Sequence, residues 1–369
     1  MIKWSLKLLL YEWVTVLASL HGIAFSFLLM MFFSAVFSGE SERIVAYPQK
    51  VNADAWVMQK GVSNMHMAIS QVWDWKEDRV RALQQVDEVE SILYLNAIVN
   101  AGERNWFSYI VGLKKRAKHS APWEMHSGKR VPEAGEVVIP EVMSRLTGLN
   151  IGHELMIVDR KFKIAGLSRH TFSMANSIVF VSYSDLAEIM SSQGSISYLM
   201  VWAKPGVSVD QLKTAIHNQL DKVSVVSQDE FVQNDYQMAM QMGVEVTVMM
   251  SIISSVLAVV IAGYTCSLLI KRHAGNFAIV RALGFKHTDI YISVIFQAVV
   301  VTFSGLLLSI LFAALLFPLI NYFVPAVTLI VRAETVINMF TMAIIIAVFS
   351  VIWPARQVTR IDPMKVFYS

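Results

Sequence analysis

The groups in this chain that could bind or transform something are thioethers, imidazoles and a few carboxylates. Met238, Met240 and Met242, with Met249 and Met250 beyond, are soft donors of the kind that hold Cu(I). They also lead into an apolar run, where adaptable methionine packing is the expected role. His66, His119, His126, His153 and His170 are scattered without ligand spacing and read as surface or hydrogen-bonded imidazoles. His21 lies inside an apolar run, where a polar group usually faces protein or water, so an inter-helix hydrogen bond is expected. Glu245 opens another apolar run as an interfacial carboxylate. The single cysteine, Cys266, also lies in an apolar run, so the polar part of the chain has no disulfide. No G-x-S-x-G, H-E-x-x-H, paired-Cys or G-x-x-x-x-G-K-[ST] pattern occurs. The chain is therefore expected not to be an enzyme, to hold no metal or cofactor, and to need a separate protein for any use of ATP.

A different chemistry, that of docking, is suggested by residues 271–285. Phe277, Val280, Arg281 and Gly284 follow i, i+3, i+4, i+7 spacing. One face of a short helix would then mix apolar and basic groups, with Gly284 in a tight turn after it. Such a face fits either a groove in another protein or an anionic lipid surface, and spacing alone leaves both open.

Four stretches without Asp, Glu, Lys or Arg must position these groups: 16–37, 246–270, 290–331 and 335–355. Each exceeds the roughly 20 residues that cross a bilayer. The chain is 55% hydrophobic and 16% charged, against about 25% charged in soluble domains. A net charge of +3 gives no reason to expect nucleic acid. The first stretch is longer than a signal-peptide core of roughly 7–15 residues and lacks a convincing cleavage site, so a retained span is expected. The third could hold two spans, but Pro318 and Pro325 interrupt its second half. Lys271, Arg272, Arg281 and Lys286 cluster on one side, as do Arg356, Arg360 and Lys365, and Lys3 and Lys7 precede the first span. The positive-inside rule then places all three clusters in the cytoplasm. Trp4, Tyr11 and Trp13 are expected as interface anchors.

The expected layout is a cytoplasmic segment 1–15, spans at 16–37, 246–270, 291–317 and 335–355, and an external domain at 38–245. A cytoplasmic helix and loop at 271–289, an outer loop at 318–334 and a cytoplasmic tail at 356–369 complete it. Within the external domain, 51–59, 89–99, 106–113, 196–203 and 223–227 read as strands. Residues 75–85 and 209–220 read as helices, the latter capped by Ser208. These make β-α-β units at 50–113 and 195–230. Between them, 114–194 forms an inserted, mainly β lobe with strands at 135–140, 155–158, 161–167 and 177–181. A short helix at 141–147 ends at Gly148. Trp73 and Trp75 are expected to pack this domain. Ala18, Gly22 and Ser26 give the first span a small-residue face suited to dimerisation.

Two segments carry a family resemblance. Residues 271–285, KRHAGNFAIVRALGF, are similar to an "R-E-x-A-I-L-R-A-L-G" cytoplasmic helix. Residues 354–367, PARQVTRIDPMKVF, are similar to a "P-A-R-x-A-x-x-x-D-P" ending that here comprises Pro354, Arg356, Asp362 and Pro363. Residues 135–152 resemble a "G-E-V-V-x-x-E…L-G-L-x-x-G" element. Together these resemble the FtsX-like permease family, the MacB/LolC/LolE type of ABC-transporter membrane subunit, and the run 17–33 is similar to the DevC-like branch. The resemblance implies an α-helical membrane protein with four transmembrane helices and an α+β periplasmic domain, a porter-like lobe with an inserted Sabre-like lobe.

The resemblance also implies a type VII mechanism in a bacterial inner membrane. A cytoplasmic ABC ATPase dimer, holding ATP and Mg, would dock on Gly275, Asn276, Phe277, Ala278, Val280, Arg281, Leu283, Gly284 and Phe285. Its motion would be transmitted to the periplasm to move lipids, lipoproteins or small hydrophobic compounds. Other implied partners are a second permease copy or paralogue, a periplasmic adaptor and an outer-membrane factor. An FtsX-like subunit regulating a cell-wall hydrolase is the alternative. Asn276 departs from the family's Glu.

Overall fold

The computed structural model describes all residues except 67, 68, 103, 174–176, 325 and 360–369, and the side chains of all of these except 239, 242–244, 358 and 359. The chain begins with α1 (Ile2–Tyr11), α2 (Trp13–Ile44) and α3 (Ala46–Val51). Then come β1 (Ala55–Gln59), β2 (Val72–Trp73), α4 (Trp75–Arg81), β3 (Val86–Ala101), β4 (Arg104–Leu113) and β5 (Met125–Gly128). Next are β6 (Glu136–Pro140), α5 (Glu141–Thr147), β7 (Glu154–Ile157), β8 (Arg160–Ser168), β9 (Ser177–Ser182) and α6 (Tyr183–Ile189). The polar region closes with β10 (Ser195–Ile196), β11 (Tyr198–Ala203), α7 (Val209–Gln219) and β12 (Val223–Ser227). Four helices follow: α8 (Gln228–Arg272), α9 (Ala274–Ala282), α10 (His287–Phe323) and α11 (Ala333–Thr359). They belong to two compact units, one helical (1–38, 243–324, 329–369) and one mixed (39–242, 325–328).

In the mixed unit, β12, β1, β11 and the first half of β3 pair antiparallel. Alternation sends Ala55, Val57, Leu199 and Val201 to one face, under Val80 of α4 and Leu212 and Ile216 of α7. Trp56, Met58, Tyr198 and Met200 go to the other, where Phe231 of α8 stacks on Trp56 at 4.4 Å. The second half of β3 takes a different course. It pairs with β4, β4 with β9, β9 with β6, β6 with β8, β8 with β7, and β7 returns to β3. The strands thus close on themselves around Val99, Ile110, Ile157, Phe162, Ile164 and Val179. The inserted β lobe therefore shares one sheet with its flanking units through the parallel β4–β9 pair. Ser208 caps α7 through Gln211, and Gly148 ends α5 at φ +75°, both as the sequence predicts.

One buried polar knot ties the loop after β1 to α8. Asp235, fully buried, accepts from the Met65 N–H and from His66 Nδ1, each at 2.8 Å. Trp73 and Trp75 do not pack the core as expected. They are 60% and 44% exposed, and Arg79 covers the Trp75 ring at 5.0 Å, a cation–π contact that suits a surface site.

The helical unit has four helices long and apolar enough to cross a membrane: Trp13–Ile44, Glu245–Arg272, His287–Phe323 and Ala333–Gln357. Small groups set their spacing. A Cβ on Gly305 of α10 would meet Ile23 Cγ2 of α2 at 2.6 Å, and one on Gly22 would meet Ile261 of α8 at 3.0 Å. Thr265 donates to Ser19 at 2.6 Å. Pro318 does not end α10, which runs on to Phe323. Neighbouring helices let a membrane helix tolerate the hydrogen bond that proline removes. Residues 318–323 of the expected outer loop are therefore helical. Asn321 secures the chain beyond, donating to Leu329 O at 3.2 Å and accepting from Leu329 N at 2.8 Å.

Candidate functional site

The connector between α8 and α10 is a short helix held from one side. α9 ends in a Schellman turn. Gly284 N–H donates to Arg281 O at 3.0 Å, Phe285 N–H to Val280 O at 3.4 Å, and Gly284 takes φ +91°. Only glycine enters that region without strain. Lys286 N–H then donates to Asp289 Oδ2 at 3.0 Å and starts α10.

Phe277 is the anchor of α9 and points into the chain, whereas Gly275, Asn276, Leu283, Gly284 and Phe285 of the residues expected to dock stay exposed. It is fully buried, with Trp4 of α1 edge-on at 4.9 Å. Leu8, Cys266, Ile270, Ile290 and Val294 complete its surroundings. Ala278 is buried too, and Val280 and Arg281 are half-buried. The face left open runs one position away: Gly275, Asn276, Ile279, Ala282, Leu283, Gly284 and Phe285 are exposed, with Ile279 at 48% and Leu283 at 72%. The spacing Asn276, Ile279, Leu283 is as helical as that of Phe277, Val280, Arg281, Gly284. Periodicity fixes which residues share a face but not which face is covered. Trp4, itself half-buried, decides that. Tyr11 and Trp13 do stand exposed, at 77% and 62%.

An ion cluster joins α9's start to the α1–α2 junction. Glu12 accepts from Arg272 Nη1 at 2.7 Å and from His273 Nε2 at 3.1 Å. Hydrogen bonds from Arg272, then His273, hold the Glu12 carboxyl below its ordinary range. Asn276 Nδ2 donates to His273 Nδ1 at 3.2 Å, leaving the Nε2–H to face Glu12. A Glu at 276 would instead put a second carboxylate beside this imidazole, where Asn276 places a neutral amide. Neither Glu12 nor His273 stands out in the sequence.

The expected dimer face is partly taken. Ser26 is buried and donates to Gly22 O at 3.0 Å, and Gly22 packs against Ile261 of its own chain. Only Ala18 is exposed. His21 is exposed and bonds Leu17 O of its own helix at 2.8 Å, not another helix. Arg356 is exposed and Pro354 lies within α11, while Asp362 and Pro363 fall outside the described residues.

Met238 and Met240 are half-buried on α8 and Met249 is exposed, spread along the helix, and Met242's side chain is outside the described set. Glu88, Glu90 and His119 do lie close enough to hold a cation. Their atoms are already committed: Glu88 accepts from Lys118 and His119, and Glu90 from the Lys118, His119 and Ser120 amides at 2.9 Å each. The arrangement is an ion-pair network that pins the loop after β4.

A mixed domain, four helices long and apolar enough to cross a membrane, and a short connector anchored by Phe277 fit a membrane subunit. Residues 13–219 match the MacB-like periplasmic core domain and residues 248–363 the FtsX-like permease C-terminal family. The chain belongs to this FtsX/MacB-like family of ABC-transporter permeases. Among solved structures, the chain is similar to the periplasmic region of MacB from Actinobacillus actinomycetemcomitans (12% identity, 52% of this chain and 96% of that one, TM-score 0.39). It is also similar to the extracellular domain of the noncanonic ABC-type transporter YknZ from Gram-positive bacteria (10% identity, 48% and 100% covered, TM-score 0.37). No curated protein sequence matches the chain.

Proposed function

We propose that the chain is the permease subunit of a transporter driven by a separate cytoplasmic ATPase dimer, which binds the ATP and Mg. The observation that carries this is α9, a helix clamped on one side by Phe277 and offering Ile279 and Leu283 on the other. Exposed apolar side chains on a rigidly seated connector suit a groove in a partner protein. Basic residues at 271–286 support a cytoplasmic position for this face, with both termini inside and the mixed domain in the periplasm. ATPase closure would push on α9. The helices α2 and α8, whose residues run from one unit into the other, would pass that motion outward. The cargo class we favour is envelope lipids, lipoproteins or small hydrophobic compounds, handled on the periplasmic side with an adaptor and outer-membrane factor. A second permease copy or paralogue would complete the assembly.

The test is contact. Ile279→Cys in a Cys266→Ala background, reacted in membranes with a short bifunctional reagent, is expected to crosslink to a cytoplasmic ABC ATPase. Glu133→Cys, in the mixed unit, is expected not to. A Glu133→Cys crosslink, or none from Ile279→Cys, would reverse the assignment.

A further inference from the structure

The first helix has three distinct sides. One is buried: Ser5, Leu8 and Leu9, with Ser5 hydrogen-bonded to Ser293 of α10 and Trp4 half-buried on Phe277. Next around the helix comes an exposed apolar ridge, Ile2 at 52%, Leu6 at 45% and Leu10 at 67%. α1 ends at its C-cap Glu12 (φ −90°, ψ 33°), and beyond that break Trp13, Val14 and Leu17 are exposed on the adjoining span α2. Beside that ridge stand Lys3 and Lys7, both exposed, one turn apart, with no acidic residue in the helix. Among the described residues neither lysine has an ion-pair or hydrogen-bond partner.

We infer that α1 is a binding surface for anionic phospholipid of the cytoplasmic leaflet, and that through Trp4 it sets how firmly α9 is seated. The inference rests on the topology proposed above. An exposed apolar ridge whose chain passes, one residue beyond the helix, into the exposed start of a membrane span lies where acyl chains can cover it. The lysines on its border then lie at headgroup level, where long stems let their ammonium groups reach phosphate. A partner protein would have to cover α1 and the lipid-facing side of α2 together; a bilayer does so without further contact. The Trp4–Phe277 contact joins this surface to the connector. Lipid that orders α1 therefore fixes Trp4, and Trp4 limits the motion of α9.

Each lysine near an anionic surface is worth about fivefold in affinity, so the pair is worth on the order of 25-fold. The full-length protein in detergent is titrated with phosphatidylglycerol or phosphatidylcholine and retained lipid is counted by native mass spectrometry. Wild type is expected to retain phosphatidylglycerol preferentially, and Lys3→Gln/Lys7→Gln to lose that preference on the order of 25-fold. Equal retention of both lipids by wild type, or an unchanged preference in the double variant, overturns the lipid site.

Hydrogen exchange across α9 is then compared in nanodiscs of the two lipids. Slower exchange in phosphatidylglycerol is expected for wild type but not for Trp4→Ala, which should keep its lipid preference. Equal exchange in wild type, or slowing that survives Trp4→Ala, overturns the link to α9. No ATPase is present in either measurement, so failure here is separate from failure of the docking proposal.

Discussion

Replacing Phe277 with Ala tests which way α9 faces. The side chain is fully buried among Trp4, Leu8, Ile270, Ile290 and Val294. Removing a buried Phe side chain costs about 3–5 kcal/mol in protein cores. Helices in a membrane gain packing but little water exclusion, so the low end, about 3 kcal/mol, is expected here. The edge-on Trp4 contact at 4.9 Å should appear as a coupling of about 0.5–1.5 kcal/mol in a double-mutant cycle with Trp4→Ala. Ile279, 48% exposed on the opposite side, is the control, and Ile279→Ala should change stability by less than about 0.5 kcal/mol. Reversible unfolding in mixed micelles reads all five proteins, wild type and the double variant included. A Phe277→Ala cost below about 1 kcal/mol, or an equal cost for Ile279→Ala, would show that the buried side has been misassigned. Phe277→Asp is a poor probe of docking for the same reason. It would bury an unpaired carboxylate inside this chain and act on folding first.

Three further outcomes follow from named contacts. Gly305→Leu should loosen the bundle by about 1–3 kcal/mol, because even a Cβ there meets Ile23 at 2.6 Å; an unchanged unfolding midpoint in micelles would contradict that packing. Asp235→Ala should cost the mixed unit about 3 kcal/mol by stranding the Met65 amide and His66, read by chemical denaturation of the full chain, whereas Asp235→Asn should cost less. The Glu12 carboxyl is held low by Arg272 and His273, so its stabilisation is complete above the ordinary carboxylate pKa and is lost as pH falls through the depressed value. Glu12→Gln should therefore flatten the acid limb of the unfolding midpoint, and an identical acid limb would contradict the cluster.

What the sequence made legible were the features with a local cause. The Ser208 cap, the Gly148 stop, the turn at Gly284 and the four apolar runs each depend on residues a few positions apart. Features decided by distant partners were not legible. Nothing near Val99 announces that β7 returns to pair with it and closes the strand cycle. Nothing near Phe277 announces Trp4, and a helical repeat that fits two faces does not say that Phe277 lies on the covered one. Pro318 was read as a stop because that rule holds where no neighbouring helices compensate. A small-residue pattern on one helix likewise does not announce that Gly22 packs on Ile261 and that Ser26 is buried within the chain.

The most direct test of the account is Leu283→Asp on the exposed side of α9, measured as co-purification of the ATPase and as cargo-stimulated ATP hydrolysis in nanodiscs. Leu283 is 72% exposed, so the substitution should leave the permease folded. Docked, it would bury an unpaired carboxylate at a cost of several kcal/mol, enough to weaken the complex at least 100-fold. The expected result is a folded permease that no longer retains or couples the ATPase. A Leu283→Asp protein with a normal complex and normal coupled hydrolysis would contradict it.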